Sequence, residues 1–170
     1  MIKQLFASFL ILLCMLLIQT GILSNIPELP VMPDLLMITV MYISFYNGIF
    51  IGESVGFMSG LMVDFLSSAA FGLGCLSRTA IGFLCGFFHR TINTKGVIMP
   101  AVLGAAVTVS KVLLNNFISL FYPQNQITAY NIFSYSFLFE IGINAILTPF
   151  VFFFLSLFNS FLVTSNSEMR

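Results

Sequence analysis

The sequence lacks tryptophan, has one histidine and carries few charges, with six Lys or Arg and six Asp or Glu among 170 residues. A nucleic-acid-binding protein needs a basic surface to neutralise phosphates, and a net charge of zero provides none. Hydrophobic residues make up 59% of the chain, well above the roughly 45–50% of globular proteins. The few charges and the high hydrophobic content predict a single polytopic transmembrane domain over residues 1–170, embedded in the lipid bilayer.

The residue types that usually carry chemistry are also scarce. Three cysteines lie in apolar segments without metal-ligand spacing, namely Cys14, Cys75 and Cys85. Ser59-Gly60 invites comparison with the G-x-S-G nucleophile of intramembrane serine proteases, but the spacing from Gly56 is one residue too long. The only histidine, His89, is predicted at the opposite membrane edge, beyond hydrogen-bond reach of Ser59. We therefore predict no enzyme activity, no metal site and no cofactor.

Six apolar segments are predicted to cross the membrane, with both termini in the cytoplasm. The segment after Lys3 is long enough to span about 30 Å of hydrocarbon, and no small-x-small cleavage site follows it. A proline-rich connector ends at Pro33, where Asp34 is placed to cap the next helix. This topology places most Lys and Arg on the cytoplasmic side. The predicted spans are Leu5–Leu23, two short spans within 34–66 that meet at a turn at Asn47-Gly48, Leu73–Phe88, Val97–Phe121 and Phe133–Leu162.

Glycines recur at every fourth position on the third and fourth predicted helices, so that each set lies on one face. Such faces let two helix backbones approach closely in lipid. Asp64 ends the first series and Arg78 begins the second, and because lone charges are costly in a membrane we expect these two to pair. The alternative is that one of them reaches the interface. Glu53 and Arg90 are expected to pair at the cytoplasmic end. The predicted packing glycines are Gly52, Gly56, Gly60, Gly82 and Gly86.

Polar residues at helical spacing also follow one face of each of the last two predicted helices. We predict that Lys111 pairs with Glu140, and that Asn115 and Asn144 complete the network. A Lys–Glu pair at this depth has two interpretations, a contact that holds helices together or a proton or ion relay. The first is favoured, because a relay also needs a water path and a substrate site.

The segments PDLLMITVMYISFYNG and GESVGFMSGLMVDFLSSAAFGLGCLSRTAIGFLCGFF together resemble the bacterial rod-shape-determining MreD family. The resemblance is strong over residues 30–90, whereas the last third agrees in length and hydropathy only. Arg78, Lys111 and Glu140 do not belong to the pattern. It maps onto Pro33, Asp34, Leu35, Gly52, Gly56, Gly60, Leu61, Asp64, Phe71, Gly72, Leu73, Gly82 and Gly86.

This resemblance implies an inner-membrane subunit of the cell-elongation machinery, similar in fold to the substrate-binding subunits of energy-coupling-factor vitamin transporters. It also implies binding to MreC, and through it a connection between MreB filaments and the peptidoglycan polymerase RodA with its transpeptidase partner. The implied mechanism is scaffolding. The alternative function is a vitamin-binding transporter subunit, although the missing tryptophan and the few polar residues in the predicted external loops count against it.

Overall fold

A computed structural model describes residues 2–21, 31–67, 72–89, 96–119 and 134–162, and within these ranges all regular structure is helical. Four of the helices, α1, α3, α5 and α6, are long and apolar enough to cross a membrane, and α2 and α4 are shorter apolar helices. The prediction of an all-helical membrane protein is therefore confirmed. The helices are α1 (Ile2–Gly21), α2 (Leu35–Asn47), α3 (Ile49–Leu66), α4 (Leu73–Phe87), α5 (Ile98–Ser119), α6 (Tyr135–Ser156) and the short α7 (Asn159–Leu162).

Local sequence signals set both ends of α2. At its start, Asp34 Oδ1 accepts a hydrogen bond from the Met37 main-chain N–H at 3.1 Å, as a helix N-cap does. At its end, Gly48 alone links α2 to α3 and has a φ of 87°, a backbone conformation that favours glycine. The predicted turn at Asn47-Gly48 is confirmed. With 13 residues, α2 is about 20 Å long.

Helix α2 forms the centre of the bundle. It packs against α1, α3, α4 and α6, while contacts between α1 and α3, α3 and α4, α4 and α5, α5 and α6, and α7 and α1 surround it. Every residue from Leu35 to Phe45 is buried. A helix that is apolar on all sides is expected in such a position.

The outer helices present large apolar side chains to their surroundings, among them Phe6, Phe50, Ile98, Phe150 and Phe153. A surface of this kind is suited to contact with lipid chains. The sixth predicted span is shorter than expected, because α6 ends at Ser156 and a tight turn separates it from α7. In that turn the Leu157 N–H donates to the carbonyl of Phe154.

Candidate functional site: a glycine seam and a buried ionic cluster

The predicted packing glycines bring α3 and α4 into backbone contact. A Cβ atom added at Gly52 would lie 2.5 Å from the Gly82 carbonyl oxygen, and one added at Gly56 would lie 2.5 Å from that of Arg78. Real Cβ atoms do not approach so closely, so these positions admit glycine only. Two further contacts continue the seam, Gly60 against Cys75 and Gly86 against Ile49. We call this contact the glycine seam.

Asp64, at one end of the glycine seam, does not pair with Arg78, and the prediction of that pair is wrong. Its carboxylate instead accepts hydrogen bonds at 2.9–3.0 Å from the main-chain N–H groups of Gly72, Gly74 and Cys75. The first N–H groups of a helix have no partner within the helix, and Gly72 has no side chain with which to cap α4. Asp64 therefore caps α4 from the neighbouring helix.

Arg78 pairs with Asp34 at the start of α2. Its Nη2 atom lies 2.8 Å from both carboxylate oxygens, and the two side chains are 8% and 6% exposed. Arg78 lies farther along α4 than the N–H groups that hold Asp64, where α4 packs against α2. Its Nη1 atom is buried and has no hydrogen-bond partner among the described residues.

Lys111 of α5 contacts Asp34 of the Asp34–Arg78 pair and also Glu140. The predicted contact between Lys111 and Glu140 is thus confirmed. Its Nζ atom lies 2.9 Å from Glu140 Oε1 and 3.1 Å from Asp34 Oδ2. The Glu140 side chain is 2% exposed and that of Lys111 is 24% exposed. Lys111 thus bridges two acids, one of which lies on α6 and the other at the start of α2.

Asn144 completes the network as predicted, and Asn115 does not join it among the described residues. The Asn144 Oδ1 atom accepts a hydrogen bond from the Asp34 N–H at 3.1 Å, and Nδ2 donates to Thr108 Oγ1 at 3.1 Å. Asn115 lies one turn beyond Lys111 on α5 and is only partly buried. We call the set of Asp34, Arg78, Lys111, Glu140, Asn144 and Thr108 the ionic cluster.

The ionic cluster ties four helices together at one end of α2. It contains two acids and two bases, so that its formal charge is balanced. Buried charges are tolerated when each has a partner, and removing one partner is strongly destabilising. The ionic cluster therefore holds α4, α5 and α6 against the start of the central helix α2.

Asp34 was predicted as a helix cap, and its place in the ionic cluster was not foreseen. It lies 44 residues from Arg78 in the sequence, so spacing along a helix could not link them. A usable signal was present, because α2 carries no charged residue after Asp34. A buried acid at the start of such a helix favours a cation on another helix as its partner.

Ser59 and His89 do not form a nucleophile–base pair. Ser59 Oγ donates to the Gly56 carbonyl at 2.9 Å, and His89 Nδ1 lies 2.7 Å from the Phe45 carbonyl oxygen. The two side chains are thus bonded to different backbone segments. Among the described residues, no three His, Cys, Asp or Glu side chains are grouped to hold a metal ion. Phe71 of the family pattern and Arg90 of the expected pair with Glu53 lie outside the described residues.

Comparison with known proteins gives one match. The sequence model of a family described as rod shape-determining protein MreD matches residues 1–158. No curated protein and no solved structure matched the chain. The matched range includes all the described residues of α1 to α6, and with them the glycine seam and the ionic cluster.

Proposed function

Because the chain belongs to the MreD family of rod shape-determining proteins, we propose that it is a multi-pass scaffold of the bacterial inner membrane that serves the cell-elongation machinery. In this proposal it binds MreC and helps to couple MreB filaments to peptidoglycan synthesis by RodA and its transpeptidase partner. It catalyses no reaction. The observation that carries the proposal is the family match, which spans residues 1–158 of 170.

The internal use of small and polar side chains supports a scaffolding role. The glycine seam is filled by backbone contacts between α3 and α4, and the ionic cluster lies inside the bundle. What remains on the outside of the described helices is mainly apolar, with Phe57, Phe83 and Ile146 as examples. A rigid bundle with such a surface is suited to meeting the transmembrane helices of partners within the bilayer.

The charge distribution supports an orientation for the proposed scaffold. Lys3 lies at the start of α1, and the segment between α4 and α5 carries Arg90 and Lys95 in the sequence. Basic residues in short connections are biased toward the cytoplasm. We therefore place the N-terminus and the α4–α5 connection on the cytoplasmic side, and the ionic cluster toward the opposite side.

Depletion in a rod-shaped host tests the proposal. Loss of the protein is expected to produce rounded cells, and expression of the wild-type chain is expected to restore rods. Affinity purification in mild detergent is expected to recover MreC, whereas an unrelated multi-pass protein with the same tag should not recover it. Cells that stay rod-shaped after complete depletion would contradict the proposal.

A further inference from the structure

The packed pair of α3 and α4 has an inner and an outer side. Most of the glycine seam consists of residues at four-residue spacing on the two helices, namely Gly52, Gly56, Gly60, Arg78, Gly82 and Gly86. Each residue immediately before one of these positions is buried, and each residue immediately after one is partly or fully exposed. The buried residues are Ile51, Val55, Ser59, Ser77, Ile81 and Cys85.

The exposed residues share one side of the helix pair. Successive residues are about 100° apart around a helix, and α3 and α4 are antiparallel, so the residues that follow the seam lie on the same side of both helices. The opposite side faces α2, which packs against both. We call the exposed set the outer face, and it consists of Glu53, Phe57, Leu61, Thr79, Phe83 and Phe87.

Glu53 places an acid of the outer face at membrane depth. Helix α3 has 18 residues, so that it is about 27 Å long, no longer than a hydrocarbon core of about 30 Å. Glu53 is its fifth residue, about 6 Å along the helix from Ile49. It is level with Gly82, because a Cβ atom added there would lie 3.4 Å from the Glu53 main-chain nitrogen. The carboxyl group is therefore attached inside the hydrocarbon region.

The Glu53 side chain has no hydrogen bond and no ion pair with any described residue. The two cations described within the bundle are bound in the ionic cluster. The other polar group of the outer face, the Thr79 hydroxyl, donates to the Cys75 carbonyl of its own helix at 2.6 Å. Ionisable residues inside a membrane pair with a partner and mark functional sites. Lipid tails offer no such partner.

Aromatic rings flank the carboxyl group. Phe57 lies one turn farther along α3, and residues four apart on a helix are neighbours. Phe83 directly follows Gly82 on α4. The two phenylalanines are 50% and 42% exposed. A Lys or Arg is attracted both by a carboxylate and by the faces of aromatic rings. The outer face therefore suits a cation that is carried on an apolar support.

A transmembrane helix of another protein provides that combination. Its apolar side chains can cover the phenylalanines, and Lys or Arg is common near the cytoplasmic end of such helices. The start of α3 lies on the side that the proposed orientation makes cytoplasmic, because Gly48 lies beside His89 at the end of α4. A second copy fits less well. In a symmetric dimer through this face, the two Glu53 side chains would lie at the same depth and repel.

We propose that the outer face docks a transmembrane helix of another protein, and that Glu53 receives a Lys or Arg about one turn inside the cytoplasmic end of that helix. The proposal rests on the scaffolding function, because it names a surface through which the scaffold holds a partner. It assigns to this protein a docking surface that the family match does not describe.

Photocrosslinking in native membranes tests the surface. A photoreactive phenylalanine analogue replaces Phe57 of α3 or Phe83 of α4, and as a control it replaces Phe6, which is 65% exposed on α1. We expect the first two positions to capture the same membrane protein, with a Lys or Arg at the stated depth of its transmembrane helix, and Phe6 not to capture it. Mass spectrometry identifies the protein. Because the two positions lie on different helices, either one suffices if the other variant fails to insert.

A change of charge at Glu53 tests the pairing. Glu53→Gln keeps the size of the side chain and should lower capture at Phe83 about fivefold, the effect of one polar contact between membrane helices. Ser54→Ala is the matched control, because Ser54 is the next residue, is exposed and donates to the Phe50 carbonyl of its own helix. Glu53→Lys should abolish capture, and replacing the basic residue of the partner by glutamate should restore it.

Four results would overturn the docking surface. They are unchanged capture by a well-inserted Glu53→Gln protein, labelling of lipid alone at both positions, capture of a second copy of the chain, and coupling between Glu53→Gln and Arg90→Gln in the unfolding of the isolated protein. The last result would pair Glu53 within the chain. None of the four contradicts the scaffolding function, which fails instead if depleted cells stay rod-shaped.

Discussion

Replacing Asp34 by asparagine removes one negative charge from the ionic cluster and leaves the shape of the site nearly unchanged. Asparagine is as good an N-cap as aspartate, so the start of α2 should keep its hydrogen bond to Met37. The charge balance is lost, however, because Arg78 then has no acidic partner among the described residues and Lys111 keeps only Glu140. The variant thus tests the ionic role of Asp34 separately from its capping role.

The expected magnitude follows from the number of partners that each residue has. Removing one partner of a buried ion pair costs about 3–5 kcal/mol, and we expect Asp34→Asn to fall in this range. Arg78→Met should cost less, because Asp34 keeps Lys111 and because the Nη1 atom of Arg78 has no hydrogen-bond partner in the described part of the chain. The double variant Asp34→Asn with Arg78→Met restores the charge balance, because Lys111 and Glu140 are then the only charged members of the ionic cluster. It should therefore be more stable than Asp34→Asn by about 1–3 kcal/mol.

Unfolding in mixed micelles titrated with sodium dodecyl sulfate measures these differences in the free energy of unfolding. Glu53→Gln provides the control, because Glu53 is an acid of α3 outside the ionic cluster. The reasoning fails if Asp34→Asn is within about 1 kcal/mol of wild type, below the cost of an unpaired buried charge. It also fails if the double variant is as unstable as the sum of the single ones.

Three further experiments test the glycine seam, the Asp64 cap and the relay interpretation of Lys111 and Glu140. Gly56→Ala should lower the free energy of unfolding by about 1–3 kcal/mol, because α3 and α4 must move apart to admit the methyl group. Gly142→Ala is the control, because its Cβ would lie in open space, and it should be neutral or stabilising by up to about 1 kcal/mol. Thermal unfolding followed by size-exclusion chromatography compares the two variants. Asp64→Ala should cost about 2–4 kcal/mol, since three main-chain N–H groups lose their acceptor, and the asparagine variant should cost less in the same assay. Lys111→Met combined with Glu140→Gln should still restore rod shape to depleted cells if the pair is structural, and a normally inserted double variant that leaves cells round would indicate a relay.

The parts of the fold that follow from local spacing could be predicted. Gly48 marked the turn between α2 and α3, and the glycines at every fourth position marked the seam, because a helix places such residues on one face. Lys111 and Glu140 lie on consecutive helices that pack against each other, so their levels could be predicted by counting along the sequence from the segment between them. In each case the partners are close in sequence or lie on consecutive helices.

The prediction of an Asp64–Arg78 pair is wrong for a physical reason that counting residues along the sequence does not capture. The prediction considered only side-chain charges, whereas main-chain N–H groups at the start of α4 are also strong donors and lie nearer to Asp64. Arg78 then needed another acid, which α2 supplies from a distant part of the sequence. Predicting that contact required knowledge that α2 is the central helix.

The two short helices explain why each acid of the family pattern bonds to main-chain N–H groups at the start of α2 or α4. With 13 and 15 residues, α2 and α4 are about 20 and 22 Å long, which is shorter than a hydrocarbon core of about 30 Å. At least one end of each helix therefore lies below the membrane surface, where unpaired N–H groups are costly. Asp34 precedes α2, and Asp64 lies in the last turn of α3 beside the start of α4; both are buried and supply the missing acceptors. Of these two acids, Asp34 alone has cation partners among the described residues, because it begins a helix that α4, α5 and α6 must be held against.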